Sequence, residues 1–204
     1  QGDAWYKKTI TTESGWKGKQ ISLKFEAAMN LAEVWLNGEK LTTHVGGYLP
    51  FSVNLTEKLL WDAPNELLVR LDNRDNPITG PKPLHDLDFN TYGGIYRHVY
   101  LQLDNELHIS DPVAAGKTAS GGIFVRYPTV SAAEATLSVQ THLINKSSEP
   151  KQFRVTQQLI DGDKTIIDQS SEPQTINGNS DIENKIEFAV KSPRLWSPKT
   201  PNLY

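Results

Sequence analysis

Two carboxylates, Asp86 and Asp88, lie two residues apart in the stretch LHDLDFNTYGGIYR at 84–97, with the His85 imidazole and the Asn90 amide close by. On a strand the two carboxylates would share one face; in a loop their geometry is open. Oxygen donors spaced this way could hold a hard cation or accept hydrogen bonds from ligand hydroxyls. The same residues suit a solvated loop whose Asp side chains cap turns, and composition alone does not separate these readings. Paired acid/base chemistry needs two carboxyl groups at a defined separation, and neither Glu26 nor Glu33 has a partner at a suitable spacing. His44 lacks a second His or carboxylate spaced to share a metal; a structural hydrogen bond at the bend before Gly46-Gly47 is the expectation for it.

The carboxylates sit in a polar, irregular segment, 73–92, with prolines at 77, 81 and 83. A loop that long in a compact domain is usually functional or disordered, and strands must hold its ends. The clearest of these lie at 32–56, AEVWLNGEKLTTHVGGYLPFSVNLT. Ala32, Val34 and Leu36 alternate with Glu33 and Trp35, the period of a half-buried strand. Asn37-Gly38 tolerates positive φ at both positions and suits the tight turn of a hairpin. Phe51, Val53 and Leu55 alternate again. Further strands are predicted near Tyr6 to Thr12, from Ile21 to Ala27, from Glu66 to Asp72 and from Gly94 to Leu103, with one helical turn at 57–61. Glycine and proline clusters bound these runs, and no amphipathic helix is evident, which together imply an antiparallel sandwich or jelly roll.

Turn chemistry at 104–122 (Asp111-Pro112, Gly116, Gly121-Gly122) predicts a domain boundary, giving units 1–105 and 106–204. Alternation restarts with Leu137 to Leu143, with Phe153 to Leu159 as a single strand, with Lys164 to Gln169 after a turn at Asp161-Gly162, and with Ile186 to Val190. Short strands at this spacing fit an immunoglobulin-like sandwich without its cysteines.

Composition excludes several classes. The 204 residues include no cysteine, so disulfides and thiolate metal sites are absent. A net charge of −3 with interspersed signs offers no basic patch for nucleic acid. No apolar run approaches the ~20 residues that span a bilayer as a helix. The triplets Asn54-Leu55-Thr56 and Asn145-Lys146-Ser147 match the glycosylation sequon, a pattern short enough to occur by chance. Most of the five Trp and seven Tyr suit sandwich packing, and some could be sugar-stacking platforms. The chain has no initiator Met and stops after a WSP-x-x-P-x-LY run, which reads as a piece of a longer protein.

Four motifs in order carry a resemblance to glycoside hydrolase family 2. AEVWLNG followed by H-x-GGY-x-PF resembles that family's N-terminal sugar-binding domain, and D-x-DF-x-x-YGGIYR-x-V at 86–99 resembles the signature that ends it in β-galactosidases. G-I-F-V-x-x-P-x-V-S at 122–131 and S-P-x-L-WSP-x-x-P-x-LY at 192–204 resemble the opening and close of its immunoglobulin-like domain. The resemblance implies an all-β chain: a jelly roll at 1–105 and an immunoglobulin-like sandwich at 106–204. It implies a non-catalytic piece of a retaining exo-glycosidase of carbohydrate metabolism, a β-galactosidase by the wording of the signature. It gives Asp88, with Asp86 as second choice and Asn90 and Tyr92 in support, a place at the sugar site of a neighbouring catalytic barrel, and makes Asp88 a sodium ligand there. Arg97 becomes a strand anchor held by an ion pair. The parent would hold sodium and magnesium; the fragment would hold no cofactor and, lacking the barrel and its two glutamates, would be inactive alone. The partners implied are that barrel, carbohydrate and further copies of the parent, with no nucleic acid or membrane. The family's bacterial look places the parent in periplasm or cytoplasm without choosing between them. An autonomous carbohydrate-binding module and a purely structural pair of sandwiches are the alternatives.

Overall fold

The computed structural model describes residues 2–74, 78 and 93–204. The chain divides into two compact units, Gln1–Asn105 and Glu106–Tyr204, and the described residues are almost wholly strands and turns.

The first unit is an antiparallel sandwich of the jelly-roll class. One sheet orders β1 (Asp3–Ile10), β6 (Asn65–Asp72), β3 (Leu31–Leu36) and β4 (Glu39–Val45). The other orders β5 (Phe51–Asn54), β2 (Gln20–Phe25) and β7 (Val99–Asp104). Period-two alternation decides which residues face inward. Ala32, Val34 and Leu36 meet Leu67, Val69 and Leu71 on the inner face of the first sheet, and Ile21, Leu23, Phe25, Phe51 and Val53 do so on the second. The Phe25 and Phe51 rings stack at 4.5 Å between centroids. Asn37 and Gly38 take φ of 51° and 84°, the positive values that the β3–β4 hairpin turn demands.

Some expectations shift. The first strand starts at Asp3 rather than Tyr6, because it pairs residue for residue with β6 from Asp3↔Asp72 to Ile10↔Asn65. The segment at 57–61 forms no helix; Lys58 N–H closes a single turn on the Leu55 carbonyl. The closing strand begins at Val99, not Gly94. Between them the backbone runs beside 26–29 through an isolated bridge, Met29↔Gly94, and one bond from the Glu26 N–H to the His98 carbonyl; Gly94 there has φ +83°.

The second unit is built on β10 (Glu134–Asn145) and β15 (Ser180–Lys191), two twelve-residue strands paired along their whole length. β8 (Leu107–Ile109) and β9 (Ile123–Val130) take successive stretches of the other edge of β10. Two short ladders form the rest: β11 (Lys151–Phe153) with β14 (Gln174–Ile176), and β12 (Thr156–Asp161) with β13 (Lys164–Ser170). The single strand predicted from Phe153 to Leu159 is therefore broken. Its partner strand is interrupted at Ser171-Glu172-Pro173, where proline offers no N–H, and the Ser171 hydroxyl receives the Val155 N–H instead at 3.1 Å.

Candidate functional site

Asp86, Asp88, Asn90, His85 and Tyr92 all lie outside the described residues. The two places where that stretch joins the sandwich are described, and they show how the fold anchors it. The outgoing end follows β6. Asn73 Oδ1 accepts the Gly2 N–H at 2.8 Å, and Asn73 N–H reaches the Gly2 carbonyl. The returning end begins at Gly93, where a Cβ would lie 2.4 Å from Asn73 Nδ2. The two ends thus touch, and a Cβ at Gly93 would require the Asn73 side chain to shift.

Beyond that point three ties hold the returning chain. Gly94 exchanges backbone hydrogen bonds with Met29 at 2.9 and 3.2 Å. Its φ of +83° favours glycine, and a Cβ there would also lie 2.4 Å from Tyr6 Oη. Tyr96 Oη donates to the Gly47 carbonyl at 2.5 Å, linking the YGGIYR segment to the Gly46-Gly47 bend. Gly47 is itself pressed against Met29, with Sδ 1.9 Å from where a Cβ would stand. The two double glycines, far apart in sequence, are therefore neighbours around Met29. Arg97 lies over the Tyr96 ring at 5.8 Å, a cation–π contact, and no described carboxylate pairs with it.

Charge converges on the outgoing end. On the outer face of the four-stranded sheet, Arg70 bonds Asp3 at 2.8 Å and Glu33 at 3.0 Å. Arg74 bonds Asp72 at 2.6 Å and Asp3 at 3.0 Å. The Arg74 guanidinium, against the opposing effect of burial, holds the Asp72 carboxyl down to about 2. Hydrogen bonds from Arg70 and then Lys40 also lower the Glu33 carboxyl. A general acid needs its carboxyl raised, so Glu33 is a fixed anion in a structural network. Among the described residues no group of three or more His, Asp or Glu is placed to hold a metal ion.

His44 departs from expectation. Its ring stacks on Phe51 at 4.2 Å and 14°, and Nε2 is buried without a hydrogen-bond partner among the described residues. Burial lowers its pKa, so it packs as a neutral aromatic ring. Of the two sequons, Asn145 is closed to modification in the fold. It is fully buried, and its amide donates to the Glu149 and Asn177 carbonyls at 2.8 and 3.0 Å.

Sequence reasoning missed one constellation. Ser110 Oγ lies 2.7 Å from His142 Nδ1, and His142 Nε2 lies 2.8 Å from Asp181 Oδ2. By residue type this is a nucleophile, base and orienting acid. The geometry makes it a strut. Ser110 is 4 % exposed and its oxygen already accepts the Gly122 N–H at 2.9 Å, which leaves no approach for a carbonyl carbon. Each ring nitrogen of His142 thus has one side-chain partner. Lys117, 2.5 Å from the same Asp181 oxygen, is the chief cause of that carboxyl falling to about 2, with His142 second. The chain of bonds ties β8, β10 and β15 to the connection before β9. Period-two patterning puts His142 on the face opposite Leu137, Val139, Thr141 and Leu143, and no local signal connects it to residues 32 and 39 positions away.

Comparison with known proteins agrees with this architecture. The family model described as "Glycosyl hydrolases family 2, sugar binding domain" matches residues 1–104, and that described as "Glycosyl hydrolases family 2" matches 121–204. A β-glucuronidase of Bacteroides fragilis is 31% identical over 197 residues, covering 94% of this chain and 26% of its own. A β-galactosidase of Bacteroides ovatus is 29% identical over 203 residues, covering 100% of this chain and 22% of its own. The solved structure of Bacteroides uniformis β-glucuronidase 2, covalently bound to cyclophellitol-6-carboxylate aziridine, superposes with a TM-score of 0.86 at 32% identity over 98% of this chain and 23% of that one. The chain thus spans between a fifth and about a quarter of the length of these relatives. Two models of one family cover its two units in order, and relatives of that family align along its whole length: the chain belongs to glycoside hydrolase family 2.

Proposed function

We propose that this chain is the accessory region of a retaining exo-β-glycosidase. The jelly roll buttresses a catalytic barrel carried elsewhere in the polypeptide, and the stretch between Asn73 and Gly93 lends Asp88, with Asp86 and Asn90 in support, to the rim of the sugar site. Chemistry belongs to the barrel, where two carboxyl groups about 5 Å apart would form and hydrolyse a glycosyl-enzyme. Asp88 would accept hydrogen bonds from sugar hydroxyls and share a sodium ion. The ordered match of both family models along one chain carries this reading. The substrate is a β-galactoside, from the wording of D-x-DF-x-x-YGGIYR, or a β-glucuronide, the class after which other relatives are named. Nitrophenyl β-glycosides assayed on the full-length protein and on this chain decide it: one sugar cleaved by the former and none by the latter is the expected result. Asp88→Ala in the full-length protein is expected to lower kcat/KM and the sodium response. Unchanged values for both would remove Asp88 from the site.

A second reading, a module that binds carbohydrate by itself, draws on the exposed Trp5 and Tyr48, each 58% accessible. Calorimetry of this chain with galactose, glucuronate and short β-linked oligosaccharides tests it; heat of binding in the millimolar range or tighter would establish it.

A further inference from the structure

Asparagine is followed by glycine twice in the chain, at 37–38 and at 177–178. Glycine puts no side chain in the way of its own nitrogen closing a ring onto the preceding amide. Both asparagines are exposed, so exposure does not separate them. Their hydrogen bonds do.

Asn37 has a fastened side chain. In the β3–β4 turn its Nδ2 donates to Asn65 Oδ1 and its Oδ1 accepts the Glu66 N–H, each at 2.9 Å. Its Cγ cannot swing toward Gly38 without breaking both bonds. Asn177, in the connection from β14 to β15, is held the other way round. Its side chain bonds none of the described residues, while its backbone carbonyl accepts Asn145 Nδ2 at 3.0 Å and the Ser180 hydroxyl at 2.8 Å. Among the described residues no donor reaches the Asn37 carbonyl.

That difference falls on the reacting atoms. The nucleophile in ring closure is the peptide amide after its N–H proton is lost, with the charge shared between nitrogen and carbonyl oxygen. Donors already aimed at that oxygen stabilise the charge as it develops. Asn145 is such a donor, fully buried and held as well by the Glu149 carbonyl. The Gly178 N–H meets no acceptor among the described residues, which leaves its proton open to solvent.

We propose that Asn177 is a self-modification site that deamidates through a succinimide, with Asn145 and Ser180 as the activating donors. Hydroxide takes the Gly178 N–H proton. The nitrogen then bonds to Asn177 Cγ, the Cγ–Nδ2 bond breaks, and ammonia leaves with a proton returned from water. A second water opens the ring. Opening at Cγ restores the backbone and leaves an aspartyl side chain; opening at the former backbone carbonyl routes the chain through Cγ as an isoaspartyl link. The net change is one water consumed and one ammonia released. The isoaspartyl link adds a methylene to the backbone between the buried Ile176 and Gly178, where a Cβ would already stand 1.9 Å from the Ser148 carbonyl oxygen. It also turns the acceptor of Asn145 into a free carboxylate, so the modification loosens the second unit. The inference stands apart from any glycosidase activity.

The test ages the full-length protein at mildly alkaline pH, folded and in urea, and follows both sites by peptide mass mapping and isoaspartyl methyltransferase labelling. In the folded protein position 177 is expected to convert about tenfold faster than 37 or more, since two hydrogen bonds restrain Asn37, and faster than 177 does in urea. Ser180→Ala, which leaves the reacting atoms in place, is expected to slow 177 about threefold in the folded protein only. Conversion at 177 no faster than at 37 in the folded protein, or slower than at 177 in urea, would overturn the proposal, as would an unchanged rate in folded Ser180→Ala.

Discussion

Replacing Asp72 by Asn removes the charge that receives Arg74 at the outgoing end of the 75–92 stretch while keeping the side chain's shape. The Asp72 carboxyl falls from an ordinary 3.8 to about 2, first through the Arg74 hydrogen bonds and against the cost of burial. A shift of nearly two units corresponds to an upper bound of about 2.5 kcal/mol at ~1.4 kcal/mol per unit. Asp72 itself is largely buried, but Arg74 is half exposed and its attraction is screened by water and salt. About 1 kcal/mol is therefore the expected loss. The sign is set by linkage: a carboxyl lowered in the folded state contributes stability above its unfolded value, and that stability drains away as pH falls from about 4 to about 2. Urea unfolding followed by tryptophan fluorescence suits the measurement, since Trp5, Trp16, Trp35 and Trp61 lie in the first unit and only Trp196 in the second. Asp72→Asn should unfold at lower urea at pH 6, and the gap should close by pH 2. A gap of the same size at pH 2, or none at pH 6 in low salt, would refute the electrostatic account.

Two other substitutions probe packing. Asn65 is fully buried, and its amide serves Leu60 N–H and C=O at 2.7 and 2.9 Å and Asn37 Nδ2 at 2.9 Å. Asn65→Ala strands buried polar groups at roughly 1–3 kcal/mol each, so a loss of about 3 kcal/mol in the first unit's urea transition is expected; less than about 1 would mean water replaces the amide. A Cβ at Gly178 would stand 1.9 Å from the Ser148 carbonyl oxygen, a backbone atom, whereas at Gly47 the obstacle is the flexible end of Met29. Gly178→Ala should therefore destabilise its unit by about 2–3 kcal/mol and Gly47→Ala its unit by less, each read by thermal unfolding; the reverse order would contradict the geometry.

The fold class was legible in sequence because an antiparallel sandwich writes itself locally. Alternation at 31–36 and 65–72 marks the buried face, and Asn37-Gly38 marks a turn that needs positive φ at both residues. Family membership was legible for the same reason, as ordered short motifs. Strand ends were not, because a partner's length sets them: Asp3–Ile10 follows β6, and the break between β11 and β12 follows a proline on the opposing strand. The candidate carboxylates Asp86 and Asp88 were proposed from sequence and lie outside the described residues. Tertiary structure alone brought Gly47 and Gly94 together around Met29, made Glu33 a fixed anion between Arg70 and Lys40, turned His44 into a neutral stacked ring, and joined Ser110, His142 and Asp181 into a strut. Each of these depends on atoms many residues apart meeting within a few ångströms, and periodicity records which face a side chain takes but not what it finds there.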